Sequence, residues 1–264
     1  MADTPTQEDE LAGTEQPFVQ HLMELRDRLV KAIIAIAVGA AFLFFFPGPG
    51  PVYDFLAARL VAHLPKGATL IATSVISPFM VPLKILLMSA FLLALPFVLW
   101  QVWAFVAPGL YSHEKKLVLP LVVSSTVLFF IGVAFCYYFV FGQVFAFIQS
   151  FAPKSITAAP DIEAYLSFVL SMFLAFGLAF EVPIAVVVLA RMGVVSIEKL
   201  KNFRGYFIVI AFVIAAIVTP PDVVSQLALA VPMCILYEIG IWAAQLFIKH
   251  TKAPNAAEEE TASS

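Results

Sequence analysis

Six apolar runs, at residues 29–46, 78–105, 117–147, 162–192, 206–218 and 223–248, decide what this chain folds into. A helix needs about 20 mostly apolar residues to cross a hydrocarbon core of roughly 30 Å, and five of the runs approach or exceed that length. Hydrocarbon offers no partner for a free backbone group, so the runs must be helices. Strands of an outer-membrane barrel would instead alternate apolar and polar residues over about 10 positions. Composition agrees: 62% of residues are hydrophobic and 12% charged, against roughly 45–50% and 25% in soluble proteins. The expectation is an all-α integral membrane protein with six transmembrane helices.

The fifth run is the exception in length. About 14 helical residues at 1.5 Å each give about 21 Å. Either the bilayer thins there, a partner covers the deficit, or the helix extends a turn with Arg204 snorkelling.

Orientation follows from Lys and Arg. With six spans, Arg26, Arg28, Lys31, Lys115, Lys116, Arg191, Lys199, Lys201, Arg204, Lys249 and Lys252 share one side. Arg59, Lys66 and Lys154 fall on the other, with Lys84 near the start of the second span. This bias predicts an N-in/C-in chain. Glu8, Asp9, Glu10 and Glu15 precede any basic residue, unlike a secretory or transit leader, so the first span reads as a retained anchor. Residues 1–17 read as a disordered acidic N-terminus, 18–250 as a single membrane domain and 251–264 as a disordered cytoplasmic tail. Cys136 and Cys234 lie in apolar helices without metal-ligand spacing and read as packing residues.

Between the first two spans, Phe55, Leu56, Leu60, Val61 and Leu64 recur at helical spacing, which suits a short amphipathic helix capping the external face. Pro96, Pro120, Pro183 and Pro232 fall inside spans and should bend them, giving a concave, open body.

Four groups of residues carry candidate chemistry. The polar stretch Gln101–Leu119 surfaces between two spans and gathers Phe105, Tyr111 and Glu114 with Lys115 and Lys116; it reads as a cation-binding face or as a solvated loop that sets topology. Glu24 lies in an amphipathic segment leading into the first span, on the same side as Glu114. Glu181 sits about 10 residues, or about 15 Å, from the end of its span. A carboxyl group there costs roughly 2.5–3.5 kcal/mol on insertion scales, so it is either bonded across helices or functional. Glu238 is similarly deep, and together with Gln226 it serves as glue within the chain or between chains; the short fifth span favours a partner for Gln226.

The segments HLMELRDRL, ATSVISPF, QVWAFVAPGLYSHEKK, FGLAFEVP and TPPDVVSQ, in this order, strongly resemble the TatC family, multi-spanning receptors of the twin-arginine protein translocase. The resemblance runs from about Phe18 to Ile248. It implies that Phe105 and Glu114, supported by Glu24 and with Tyr111 nearby, receive the Arg-Arg pair of a signal peptide. It also implies that Glu181 lines the concave face, and that the fifth and sixth helices, with Thr219, Pro220, Asp222 and Gln226, dock the single-span subunits TatB and TatA. Two arginines call for two planar acceptors, which Glu24 and Glu114 supply. Arg59 and Ser74 depart from the family pattern at external positions. The implied protein works in a hetero-oligomer in the bacterial inner membrane, powered by the proton gradient, with no cofactor, metal or nucleic-acid partner. The alternative is a proton-coupled small-solute transporter using Glu181 and Glu238, which would call for repeated halves that the sequence lacks. No HExxH or GxSxG pattern occurs, so enzymatic activity is not expected.

Overall fold

A computed structural model describes residues 7–61, 70–106, 118–151, 160–219 and 222–251. The elements are α1 (Gln7–Phe45), α2 (Pro49–Val61), α3 (Ser77–Val106), α4 (Val118–Phe135), α5 (Phe141–Phe151), α6 (Ile162–Ala179), α7 (Val182–Arg191), α8 (Ile197–Asn202), α9 (Arg204–Val218) and α10 (Val223–Thr251). α1 begins at Gln7, within the stretch read as a disordered acidic N-terminus. The tail beyond Thr251 lies outside the described residues.

Five segments are long and apolar enough to span a membrane: Val19–Phe45, Ser77–Val106, Val118–Phe147, Ile162–Arg191 and Val223–Leu246. The fifth expected span, α9, is shorter at 15 residues, about 22 Å. It extends at its start to Arg204, as one of the readings above required.

Two of the spans are not simple helices. In the third, Cys136–Val140 form a π turn, and Phe141 N–H bonds back to the Cys136 carbonyl. Core residues in this span step by three and four through Val122, Ser125, Phe129, Gly132 and Cys136, then by four through Val140 and Val144. Steps of four drift around an α-helix, and the wider π turn absorbs that drift, so one stripe faces the core throughout.

The fourth span breaks at Phe180–Glu181, between α6 and α7. Proline has no N–H and its ring crowds the carbonyl four residues back, so Pro183 stops α6 at Ala179. The sequence reading that Pro183 bends its span agrees with this break. Pro96 and Pro232, and Pro82 besides, lie inside helices. Pro183 itself sits in the first turn of α7, where a missing N–H costs nothing. At the far end of α7, Gly193 adopts φ +72°, the left-handed cap that closes the helix before Ser196 opens α8 by accepting from Lys199 N–H.

Helices meet where glycine admits a backbone. A Cβ on Gly132 would lie 2.5 Å from the Phe176 carbonyl oxygen, one on Gly177 would lie 2.4 Å from the Phe129 ring, and one on Gly240 would lie 2.9 Å from Pro183 Cα. These contacts join α4 to α6 and α10 to α7. Gly132→Ala should therefore destabilise by about 1–3 kcal/mol, because a carbonyl oxygen cannot swing aside as a side chain can. Gly142→Ala meets open space and should be neutral or mildly stabilising. Thermal unfolding of the two variants in detergent checks this; equal melting temperatures would contradict the packing argument.

At one end of the bundle, the segments before α3 and α6 are tied together. Ile71 and Asp161 form an isolated parallel bridge, Ile71 N–H donating to Pro160 O at 3.1 Å and Ile162 N–H to Ile71 O at 2.9 Å. Asp161 caps α6 by accepting from the N–H groups of Glu163 and Ala164, both at 2.9 Å, and also accepts from the Thr73 hydroxyl and N–H. Below it, Glu163 accepts from Ser77 Oγ at 2.8 Å and from Lys84 Nζ at 2.7 Å, and Lys84 reaches Ser167 Oγ at 3.2 Å. Lys84 is thus half of an ion pair between α3 and α6.

The Thr73 hydroxyl, followed by the backbone donors, lowers the Asp161 carboxyl from its ordinary 3.8 to about 2. A depressed carboxylate stabilises the fold above its unfolded pKa, and that contribution disappears as pH falls toward the folded value. The stability gap between wild type and Asp161→Asn should therefore be constant from pH 7 to about 5 and shrink between pH 4 and 2. Acid titrations of both proteins followed by circular dichroism measure it, and a gap that widens toward low pH would refute the assignment.

Candidate functional site

The end of α3 and the first half of α1 meet at the opposite end of the bundle from the Asp161 bridge. Phe105, in the last turn of α3, stacks on His21 of α1 with ring centroids 4.3 Å apart and planes at 21°. One turn along α1 from His21 stands Glu24, on the same face by the i, i+3 rule. Arg28 donates to it through Nε at 2.9 Å and Nη2 at 2.6 Å, and both bonds fall on Oε1. Among the described residues no donor is bonded to Oε2. The structure thus brings together Glu24 and Phe105, which are 81 positions apart, and adds His21 and Arg28. Tyr111 and Glu114 lie outside the described residues.

His21 escaped the sequence reading as a site residue. Its signal was its place three residues before Glu24 on an amphipathic helix.

Glu181 occupies the break between α6 and α7, partly exposed as a residue but with both carboxylate oxygens buried and without a hydrogen bond among the described residues. Ser125 of α4 is its polar neighbour. The Ser125 hydroxyl is itself buried and accepts from Trp103 Nε1 of α3 at 2.8 Å. Pro183 explains the location: by ending α6 it delivers a carboxyl group to a kink deep in the span.

The remaining candidates lie along α9 and α10. Gln226 donates through Nε2 to Phe212 O at 3.4 Å, so its amide is turned toward α9 of its own chain. Thr219 is buried and its hydroxyl donates to Ala215 O at 2.8 Å. Asp222 caps α10, accepting from Ser225 N–H at 2.7 Å, while its Oδ2 is buried without a partner among the described residues. Pro220 lies outside them. Glu238 forms a two-point pair with Arg204 at the start of α9, with Nη2 2.7 Å from Oε2 and Nε 2.6 Å from Oε1. Beside it, Tyr237 stacks on Phe207 with centroids 4.0 Å apart and donates its hydroxyl to Leu200 O at 2.9 Å. With Glu238 held by an arginine, a relay through Glu181 and Glu238 lacks its second free carboxylate.

Among the described residues no cluster of His, Cys, Asp and Glu is arranged to hold a metal ion. Three concavities among the described residues are open grooves lined almost wholly by apolar side chains. A helical body of several membrane-length spans, with polar groups at helix ends and at a break within a span, defines a multi-pass membrane protein.

Known proteins make the class specific. Residues 20–232 match the family model for TatC, the Sec-independent protein translocase protein. The TatC proteins of Haemophilus influenzae and Escherichia coli are each 47% identical to this chain, over 88% of it and 90% of their own lengths. That of Halothiobacillus neapolitanus is 51% identical over 92% of this chain, which spans 66% of that longer relative. A crystal structure of the twin-arginine translocase receptor TatC superposes with a TM-score of 0.74 at 42% identity, covering 86% of this chain and 98% of that one. The chain belongs to the TatC family.

Proposed function

We propose that this chain is the core receptor of a twin-arginine translocase in a bacterial cytoplasmic membrane, where it binds Arg-Arg signal peptides of folded cargo. It crosses the membrane six times, α9 being the short crossing, with both termini and the Glu24–Phe105 end in the cytoplasm. The Lys and Arg bias supports that orientation. The stack of Phe105 on His21 carries the site assignment, because it sets the acidic face of α1 beside the end of α3 from which the loop bearing Tyr111 and Glu114 departs.

A guanidinium wants two coplanar acceptors. Glu24 offers Oε2, Glu114 supplies the second carboxylate, and Phe105 and Tyr111 pack against the flanking chain or stack on a guanidinium face. Glu181 is the polar point deep in the concave face. Thr219, Pro220, Asp222 and Gln226, at the junction of α9 and α10, form the contact for TatB- and TatA-type subunits, with which the receptor assembles to export cargo using the proton gradient. Copies of the chain associate within that hetero-oligomer.

Binding of a labelled signal peptide to the detergent-purified chain tests the reading. An Arg-Arg peptide should bind, a Lys-Lys peptide should bind weakly, and Glu114→Ala or Glu24→Gln should each cost about 1.5–3 kcal/mol, roughly ten- to a hundredfold in affinity. Equal affinity for the two peptides, or an unchanged affinity in both variants, would overturn the site.

A further inference from the structure

Gly39 of α1 faces Ala90 of α3, with a Cβ on the glycine falling 3.4 Å from the Ala90 carbonyl oxygen. Beside this crossing the two helices leave an open groove of about 550 Å³. On α1 it is lined by Lys31, Ala35, Val38 and Phe42, one stripe at i, i+4, i+7 and i+11, and on α3 by Ala94 and Phe97 among others. The stripe is about 16 Å long, half of the roughly 30 Å hydrocarbon core, which is the depth of one leaflet.

Only the Lys31 end is charged. From Ala32 to Phe46 α1 and the residue after it carry no polar side chain, so the lysine stands at the border of the hydrocarbon with its stem along the groove. A lysine there reaches the headgroup level, where an anion complements its charge. Arg26 has Asp27, Arg28 has Glu24, Lys84 has Glu163 and Arg204 has Glu238. Lys31 is exposed and has no carboxylate among the described residues.

We propose that the α1–α3 groove is a binding site for an anionic phospholipid, one acyl chain lying along Ala35, Val38 and Phe42 and the phosphate meeting the Lys31 ammonium. The groove has the length of an acyl chain in one leaflet, and its charge selects the headgroup.

The test uses the full chain, delipidated in mild detergent and titrated with phosphatidylglycerol or phosphatidylcholine of identical acyl composition, bound lipid being counted by native mass spectrometry. Wild type should prefer phosphatidylglycerol by roughly fivefold, the worth of one lysine at a charged membrane surface. Lys31→Gln should abolish the preference, Lys31→Arg should keep it, and Ala35→Phe, which fills the groove, should weaken both lipids. Glycerol phosphate, the headgroup without chains, should not compete. The proposal fails if Lys31→Gln retains the preference or if Ala35→Phe binds both lipids as wild type does. It fails equally if glycerol phosphate displaces the lipid, or if the groove proves to be filled by a second copy, seen as dimers that Ala35→Phe dissociates.

Discussion

Close approach of helix backbones holds this molecule together. Lipid tails are as apolar as leucine, so burying leucine between helices brings little, and association depends on dispersion contacts and hydrogen bonds between surfaces that fit. Gly132 against Phe176, Gly177 under the Phe129 ring, Gly240 against Pro183 and Gly39 against Ala90 are places where a single missing Cβ lets two spans touch. The large exposed residues of α1 and α9, such as Ile33, Val38, Val209 and Ile217, face outward and leave the seams to small residues.

The same medium governs the polar groups. Asp161, Glu163 and Glu238 are each bonded by partners from another part of the chain, and Glu24 by Arg28 on its own helix. Glu181 stands apart, its oxygens buried and unbonded among the described residues at a kink that Pro183 creates. The Ser125 hydroxyl is its polar neighbour, and the role proposed for Glu181 at the concave face rests on that location.

The spans were legible because the apolar runs are long and their ends are marked by charge or proline; the observed bounds of the second, third, fourth and sixth lie within two residues of the runs read from sequence. What escaped depends on winding or on distance along the chain. Nothing in CYYFV announces a π turn, since its cause is the register of the core stripe on either side. Lys84 read as a stray charge near the start of a span because its partner lies 79 positions away. The inward turn of Gln226 depends on where α9 ends, which residue types do not encode. Within the candidate site, Glu24 and Phe105 were identifiable from the family motifs, whereas their meeting through His21 required the fold.

The ties between α3 and α6 are all at one end: the Ile71–Asp161 bridge, the Thr73 contacts and the Lys84–Glu163 pair lie before or within the first three turns of the helices they join. Mechanically, that makes a fulcrum. α3 has 30 residues and is about 45 Å long, so each degree of rocking about the tied end displaces its far end by about 0.8 Å. Phe105 rides on that far end, where the Trp103–Ser125 hydrogen bond and the Phe105–His21 stack hold α3 to α4 and α1, so any rocking about the tied end is met first by those two contacts.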